Sequence, residues 1–228
     1  MPESIRPIKA LIFDMGGVLL RTESLEPRQR LAAKLGLSLE ELYKLVFESE
    51  EDRLVQLGII PPEVRWQHVA QQLGLDDEQI TTFRREMFAG DVLDMELVNY
   101  IRSKHGRYKT ALLSNAPARL ETMLHNEWHI ADCFDVIVIS ALVGMMKPDP
   151  AIYRLTLNQL QVVPQEAVFI DDVRANVEAA AALGIHAIQF TTREDTLKEL
   201  EALLQADGAQ KPEEASDDYM DHPPIPSR

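Results

Sequence analysis

Six polar residues end or interrupt apolar runs, and together they could carry out phosphoryl-transfer chemistry. They are Asp14 in LIFD, Ser114 and Asn115 in LLSN, Lys147 in MMKP, and Asp171 and Asp172 in FIDD. A protein core does not accept such groups without partners, because burying an unpaired charge is costly. If the apolar runs are parallel strands, the residues at their carboxyl ends meet at one edge of the sheet and can form a shared site.

The chemistry of these residues favours a metal-assisted attack on phosphorus. Aspartate carboxylates are hard oxygen ligands of the kind that Mg²⁺ prefers. Lys147 supplies a compact positive charge, and Ser114 with neighbouring backbone N–H groups can hydrogen-bond an anion. Gly16 and Gly17 follow Asp14 closely and let backbone amides approach an oxyanion. A carboxylate beside a metal ion and a lysine can act as a nucleophile toward a phosphate ester.

Five apolar runs predict the strands that must position these residues. The runs are IKALIFD (8–14), KTALLSN (109–115), FDVIVIS (134–140), AVFIDD (167–172) and IHAIQF (185–190). They are continuous rather than alternating, which is typical of strands buried on both faces of a parallel sheet. Helical patterns occupy 117–128, 150–161 and 173–184. Strands that alternate with helices predict an α/β fold with a Rossmann-like, doubly wound parallel sheet.

Residues 20–90 interrupt this alternation, because they contain no good strand pattern and instead predict four consecutive amphipathic helices. The helical patterns are EPRQRLAAKLG, SLEELYKLVFESEEDRL, PPEVRWQHVAQQLG and DDEQITTFRREMF. Ser38 with Glu41 matches a capping box, and Pro61 and Pro62 mark another helix start. The insertion leaves the carboxyl end of the first strand, so we expect an all-helical cap that acts as a lid over the site. A helical subdomain without a role at the site is the alternative.

Composition and charge restrict the partners of the chain. The 228 residues are 46% hydrophobic, which is enough for a full core, and no apolar run is long enough to span a bilayer. The net charge of −14 repels phosphate backbones, so we expect neither a nucleic-acid nor a membrane partner. The same charge requires a local concentration of positive charge wherever an anion binds. The single cysteine, Cys133, is predicted to be buried, and a lone thiol favours a reducing, cytoplasmic location.

Four motifs in order resemble those of the haloacid dehalogenase superfamily, in particular its phosphatase-like members with a helical cap. FDMGGVL resembles the first motif, LLSNA the second, MMKPDPAIY the third and VFIDDVRANVEAA the fourth. KPDPAIY and FIDDVRAN are similar to the phosphatase domain of soluble epoxide hydrolases and its stand-alone relatives. Together with the element pattern, the resemblance predicts a core formed by residues 1–19 and 91–205 and a helical cap at 20–90. An acidic tail at 206–228 is predicted to be disordered.

The resemblance also implies a role for each site residue. The implied catalytic residues are Asp14, as the nucleophile that forms an aspartyl-phosphate, with Ser114 and Lys147. The implied phosphate-binding residues are Ser114, Asn115, Lys147 and Gly17. The implied Mg²⁺ ligands are Asp14, the carbonyl of Gly16, Asp172 and, as an assisting ligand, Asp171. The implied substrate is a small phosphate ester, whose identity the sequence leaves open.

Gly16 departs from the pattern of the superfamily. Its phosphatases usually carry a second aspartate two residues after the nucleophile, which protonates the leaving group and then activates water. General acid–base help of this kind contributes about 10²–10⁴-fold. Its absence predicts slow turnover of esters with poor leaving groups, unless the cap or the substrate supplies the proton. His68, Glu50 and Arg53 are the cap residues considered for that role.

Three functions remain open from the sequence. The first is a Mg²⁺-dependent phosphatase of low or specialised activity. The second is a metal-independent haloacid dehalogenase, against which the adjacent acids Asp171 and Asp172 argue. The third is a catalytically weak or inactive binding or regulatory protein, which Gly16 favours and the intact Asp14 disfavours. The oligomeric state is open as well.

Overall fold

A five-stranded parallel sheet forms the centre of the computed structural model, which describes residues 6–208. The strands are β1 (Ala10–Phe13), β4 (Lys109–Ser114), β5 (Val136–Ile139), β6 (Ala167–Asp171) and β7 (His186–Gln189). Their order is β5-β4-β1-β6-β7, and every neighbouring pair is parallel. The five predicted strands are confirmed, and the doubly wound parallel sheet with them. The predicted tail at 206–228 lies, except for its first three residues, outside the described residues.

Helices cover both faces of the sheet. They are α6 (Met95–Lys104), α7 (Arg119–Thr122), α8 (Ser140–Val143), α9 (Pro150–Leu160), α10 (Arg174–Ala182) and α11 (Arg193–Gly208). A π-helical turn, Met123–Glu127, continues α7, and short 3-10 turns, Ala131–Cys133 and Pro164–Glu166, precede β5 and β6. Cys133 is buried, as predicted. Residues of α6, α7 and α11 join the buried cluster on one face of the sheet, and residues of α9 and α10 join the cluster on the other.

The central strand shows why continuous apolar runs produce this sheet. Successive side chains of a strand point to opposite faces, so a strand covered on both sides must be apolar at every position. Leu11 and Phe13 pack into one buried cluster, whereas Ala10 and Ile12 pack into the other. None of the four is more than 1% exposed, so β1 is an interior strand that can present a polar residue only at its end.

Five further helices form the insertion, which is called the cap below. They are α1 (Glu26–Leu35), α2 (Leu39–Phe47), α3 (Glu50–Gln56), α4 (Pro62–Leu73) and α5 (Asp77–Met87). The cap has its own apolar core, in which Trp66 packs edge-on against Phe83 and lies beside the buried Leu42 and Val46. The capping box of Ser38 is present, and α4 begins at the predicted proline pair.

The prediction of one helix over SLEELYKLVFESEEDRL is wrong, because α2 ends at Phe47 and a separate helix, α3, begins at Glu50. The Ser49 hydroxyl accepts a hydrogen bond from the N–H of Asp52 and so starts a new helix. Three acids in the first turn, Glu50, Glu51 and Asp52, favour the same start, since carboxylates stabilise helix N-termini.

The prediction that residues 20–90 contain no strand is wrong at the start of that range. There, β2 (Leu20–Thr22) pairs antiparallel with β3 (Asp91–Leu93). Three residues are too few to give a recognisable alternation, so the pattern missed both strands. The pair joins the two ends of the insertion. The buried guanidinium of Arg28 ties it to α1 by donating to both carboxylate oxygens of Asp91, at 2.7 and 2.9 Å.

The cap also contacts the core through the end of α3. The Ser140 hydroxyl, at the start of α8, donates to the Gln56 carbonyl at 2.6 Å. Gly58 lies so close to the core that an added Cβ would be 2.1 Å from the Ala141 carbonyl oxygen. Among residues 6–208, no helix is long and apolar enough to cross a membrane.

Candidate active site

The register of the central strands brings the sequence-predicted acids together. Phe13 at the end of β1 pairs with Ile170 of β6, and the Asp14 N–H donates to the Ile170 carbonyl at 2.9 Å. Asp14 and Asp171 are therefore neighbours at the carboxyl edge of the sheet. Ser114 ends β4 on the other side of β1, at the same edge, and is 3% exposed.

Lys147 lies between these acids as a buried cation. Its ammonium nitrogen is 2.8 Å from Asp14 Oδ1 and 2.6 Å from Asp171 Oδ2, and its side chain is 1% exposed. The Asn115 side chain holds the lysine backbone, because its amide donates to the Lys147 carbonyl and its oxygen accepts from the Lys147 N–H, both at 2.8 Å. The Asn115 amide, which the sequence assigned to phosphate binding, is thus engaged in positioning Lys147.

The two adjacent acids at the end of β6 have different surroundings. Asp171 is fully buried, and its Oδ1 accepts from the Val173 N–H at 2.8 Å and from the Asn176 amide at 3.0 Å. The same amide also donates to Asp171 Oδ2 at 3.1 Å. Asp172 is more open to solvent. Asp171 is therefore held in place, whereas Asp172 is the more accessible carboxylate.

Sequence reasoning missed Asn176. The sequence signal was a single asparagine in the alanine-rich helix α10, five residues after Asp171, where a helix former such as alanine would be expected. The structure shows that this amide is buried. Its backbone carbonyl accepts a hydrogen bond from the buried Tyr153 hydroxyl at 2.9 Å. Asn176 therefore links the acid at the strand end to α9 on the same face of the sheet.

The site carries more negative than positive charge. Carboxylate oxygens of Asp14, Asp171 and Asp172 all lie within 4.8 Å of one another, and Lys147 is the cation between them. Burial raises the pKa of Asp14 to about 7; Lys147 opposes this shift and the Asp171 charge adds to it. Burial and the Asp171 charge also raise the pKa of Asp172. When all three carboxylates are ionised, they exceed the single ammonium group by two negative charges, which a divalent cation would balance, so the donor set fits Mg²⁺.

The two glycines after Asp14 differ in their surroundings. Gly17 has φ +75°, its N–H donates to the Leu20 carbonyl at 2.9 Å, and an added Cβ would lie 2.1 Å from Asp172 Oδ2. The Gly17 amide, expected from the sequence to face phosphate, is therefore bonded within its own loop, and the residue instead allows the loop to approach Asp172. Gly16 is exposed, and an added Cβ would meet no atom within 4 Å.

We expect Gly17→Ala to damage both stability and the acid cluster. A side chain in the left-handed region costs about 1–2 kcal/mol, and the new methyl group would displace Asp172. Gly16→Ala is the matched control, because it has space and an ordinary backbone conformation, and should change the unfolding free energy by less than about 1 kcal/mol. Urea unfolding measures both variants. Equal stability of the two would contradict the close approach of Gly17 to Asp172.

A cavity of about 300 Å³ lies where the cap meets the core. Glu50 and Arg53 line it, together with Met146, which precedes the buried Lys147. Arg53 donates to both carboxylate oxygens of Glu50, at 2.8 and 2.7 Å, so neither side chain is free of the other. His68, the third cap candidate, is half-buried with Nδ1 3.3 Å from a Glu51 oxygen, and it does not line this cavity.

Comparisons with known proteins agree with this geometry. Residues 8–184 match the family model described as a hydrolase, haloacid dehalogenase-like hydrolase. The chain is 32% identical over 201 residues to a sesquiterpene phosphatase of Aspergillus oryzae, across 86% of this chain and 96% of that protein. It is 31% identical over 212 residues to a phosphorylated carbohydrates phosphatase of Thermotoga maritima, across 91% of this chain and 96% of that protein.

Solved structures and a partial relative extend the similarity. A HAD family enzyme of Bacteroides thetaiotaomicron, crystallised with magnesium and inorganic phosphate, matches with a TM-score of 0.65 at 23% identity, across 82% of this chain and 96% of that one. That likeness shows a shared fold. A segment is 39% identical over 79 residues to bifunctional epoxide hydrolase 2 of Sus scrofa, which covers 35% of this chain and 14% of that protein. The expected similarity to epoxide hydrolases is confirmed for that segment.

Proposed function

The chain belongs to the haloacid dehalogenase-like hydrolase family, and from that premise we propose that it is a Mg²⁺-dependent phosphatase of a small phosphate ester. The observation that carries the proposal is the acid cluster of Asp14, Asp171 and Asp172 around the buried ammonium group of Lys147. The phosphatase names of two relatives that align over nearly their full length support the same reaction class.

We assign the role of nucleophile to Asp14, and its hydrogen bonds indicate which oxygen attacks. Oδ1 accepts from the Met15 N–H at 2.7 Å and lies 2.8 Å from the Lys147 ammonium group. Oδ2 has no such partner among the described residues, so it is the oxygen left to approach phosphorus. Lys147 and the Met15 amide hold the carboxylate in one orientation, which removes a rotational cost from the attack.

In the first step, Asp14 Oδ2 attacks phosphorus and the bond from phosphorus to the ester oxygen breaks. The ester oxygen leaves with the bonding electron pair and takes a proton from solvent or from a group on the substrate. In the second step, water attacks the aspartyl-phosphate and loses a proton to solvent, which releases inorganic phosphate and restores the Asp14 carboxylate. Ser114 and Lys147 bind the phosphoryl oxygens throughout and stabilise their charge.

Mg²⁺ bound by Asp14, Asp172 and the Gly16 carbonyl, with Asp171 assisting, would lower the repulsion between the carboxylate and the phosphate ester. The dense hydrogen bonding of Asp171 suits an assisting ligand, and the accessibility of Asp172 suits a direct one. The absence of a carboxylate at position 16 makes both proton transfers depend on solvent or substrate. We therefore propose that turnover is slow for esters with poor leaving groups.

Gly16 also supports a second candidate, a weakly active or inactive protein that binds a phosphorylated ligand. Activity toward an aryl phosphate separates the two, because a phenolate needs little help from an acid when it leaves. A metal-independent dehalogenase would have no use for the adjacent acids at the end of β6, and it is the weakest of the candidates.

We expect Mg²⁺ to stabilise the protein and EDTA to stop turnover of p-nitrophenyl phosphate. A ligand at 100 times its Kd raises the unfolding free energy by about 2.7 kcal/mol, so the melting temperature should rise with Mg²⁺ concentration. Asp172→Asn should abolish most of that rise. Asp149→Asn is the matched control, because Asp149 is the exposed N-cap residue of α9 and asparagine serves equally well at an N-cap position. Unchanged turnover of the aryl phosphate in EDTA would contradict the proposed metal dependence.

A further inference from the structure

Ser140 is a buried residue whose hydroxyl lies between the cap and the loop that follows Ser114. Ser114 pairs with Ile139, the last residue of β5, so Ser140 is the next residue beyond the carboxyl edge of the sheet. Ser140 is fully buried. Its hydroxyl accepts a hydrogen bond from the Ala116 N–H at 2.9 Å and donates one to the Gln56 carbonyl of α3 at 2.6 Å. It therefore links the core loop that carries Ser114 directly to the cap.

The core end of this link acts on residues of the candidate active site. Ala116 is two residues after Ser114 and directly follows Asn115, whose side chain holds the backbone of Lys147. Each residue has only two soft backbone dihedral angles, so a fixed N–H at position 116 restricts the orientation of the residues just before it. The Ser140 hydroxyl therefore helps to fix Ser114 and Asn115 through the backbone of Ala116.

The cap end of the link lies at a helix terminus. The last carbonyls of an α-helix have no partner within the helix, and Gln56 is the last residue of α3. Ser140 supplies the partner for that carbonyl. The backbones also approach closely, because Gly58 has φ +69° and an added Cβ would lie 2.1 Å from the Ala141 carbonyl oxygen. Gln56 and Met146 both line the cavity at the cap–core boundary, so this contact lies beside that cavity.

The Ser140 hydroxyl has one proton and, within the described part of the chain, two acceptors. The Gln56 carbonyl of the cap lies at 2.6 Å, and the Ala116 carbonyl of the core lies at 3.3 Å. The shorter contact is the stronger one, so the proton points to the cap while α3 is docked. A hydroxyl that donates a strong hydrogen bond is polarised and becomes a better acceptor for the Ala116 N–H. If α3 moved away, the proton would turn to the Ala116 carbonyl, so the hydrogen bonds of the core loop depend on the cap.

We propose that Ser140 is a positioning residue, which couples the docking of the cap to the arrangement of the loop Ser114–Ala116. The inference rests on the proposed phosphatase function, for which it makes cap docking a condition of the productive orientation of Ser114. Such coupling is reciprocal: an anion bound by Ser114 and Lys147 favours the docked cap by the same factor by which the docked cap favours the anion. The link is thus measurable from either end.

The test measures hydrogen exchange at the end of α3 with and without saturating inorganic phosphate and Mg²⁺. The amides of Leu57, Gly58 and Ile59 report on this end, because each donates to a carbonyl of α3. We expect phosphate with Mg²⁺ to slow their exchange by about 5-fold or more, the lower end of the usual range of coupling between two sites. In Ser140→Ala the slowing at α3 should disappear, whereas phosphate should still slow exchange in the loop after Ser114.

Thr156→Val is the matched control, because Thr156 is also fully buried and its hydroxyl donates to the Ile152 carbonyl of its own helix, α9, at 2.9 Å. It should keep the slowing at α3. Gly58→Ala disturbs the same contact from the cap side and should also remove the slowing. The double variant of Ser140→Ala and Gly58→Ala should lose no more than either single variant, since both act on one contact. Melting temperatures show which variants fold.

Turnover of p-nitrophenyl phosphate by the same proteins separates the coupling from the proposed function. We expect Ser140→Ala to lower kcat/KM by about 10-fold, the effect of one lost hydrogen bond, and Thr156→Val to lower it by less than about 2-fold. Equal slowing at α3 in Ser140→Ala and the unmodified protein would overturn the role of Ser140. No slowing in the unmodified protein would overturn the coupling, even if the ester is hydrolysed. Slowing that requires Ser140 in a protein without turnover would support the coupling and contradict the phosphatase.

Discussion

Replacing Asp14 with asparagine is expected to lower kcat for p-nitrophenyl phosphate by about 10³-fold or more, because a neutral amide is a very poor nucleophile toward phosphorus. The substitution keeps the size of the side chain. It removes one of three clustered negative charges, and Lys147 retains its 2.6 Å contact with Asp171. Burial raises the pKa of Asp14, so the ionised carboxylate lowers the unfolding free energy of the metal-free protein. We therefore expect the variant to melt at the same or a higher temperature.

Measurements on the same preparation decide between a catalytic and a structural role. Steady-state kinetics with the aryl phosphate give the loss, and a melting curve shows that the variant is folded. Asp149→Asn, the same change at an exposed position, should keep nearly full activity. Residual turnover close to that of the unmodified protein would remove Asp14 as the nucleophile. A beryllium fluoride complex with the phosphate mimic bonded to Asp14 would support the assignment directly.

The sheet and the position of the acids could be predicted because both follow from local sequence. A strand buried on both faces must be apolar throughout, as β1 is from Ala10 to Phe13, and so its first polar residue marks its end. Parallel strands place their carboxyl ends at one edge, which brings Asp14, Asp171 and Ser114 together without knowledge of any long-range contact. The helical insertion followed equally from the period of its apolar residues.

The parts that could not be predicted depend on contacts between distant segments. The Asn115 amide donates a hydrogen bond to the backbone carbonyl of Lys147, 32 residues along the chain. Nothing in LLSNA distinguishes that contact from a contact with phosphate. The break between α2 and α3 depends on Ser49, whose capping role competes with a helix that could have continued.

The cavity under the cap shows a limit of another kind. Glu50 and Arg53 were considered as proton donors, and both do reach a cavity beside Met146. They bond to each other, however, and this bond lowers the pKa of Glu50. A carboxyl group with a lowered pKa is a weaker source of protons near neutral pH. We therefore infer that neither Glu50 nor Arg53 replaces the missing acid. The lack of a carboxylate at position 16 should then limit proton transfer to the leaving group.

Introducing an aspartate at position 16 is expected to raise kcat for an alkyl phosphate by up to about 10²–10⁴-fold, the usual range of general acid–base help. Gly16 is exposed, its backbone lies outside the left-handed region, and an added Cβ meets no atom within 4 Å, so the loop has room for the side chain. The gain should be much smaller for p-nitrophenyl phosphate, whose leaving group needs little proton transfer. Gly16→Asn is the matched control, because its amide has the same size but cannot give up a proton at neutral pH. An equal gain from asparagine would attribute the effect to binding. No gain from aspartate in a folded protein would show that proton transfer does not limit turnover, and the proposed cause of slow catalysis would be wrong.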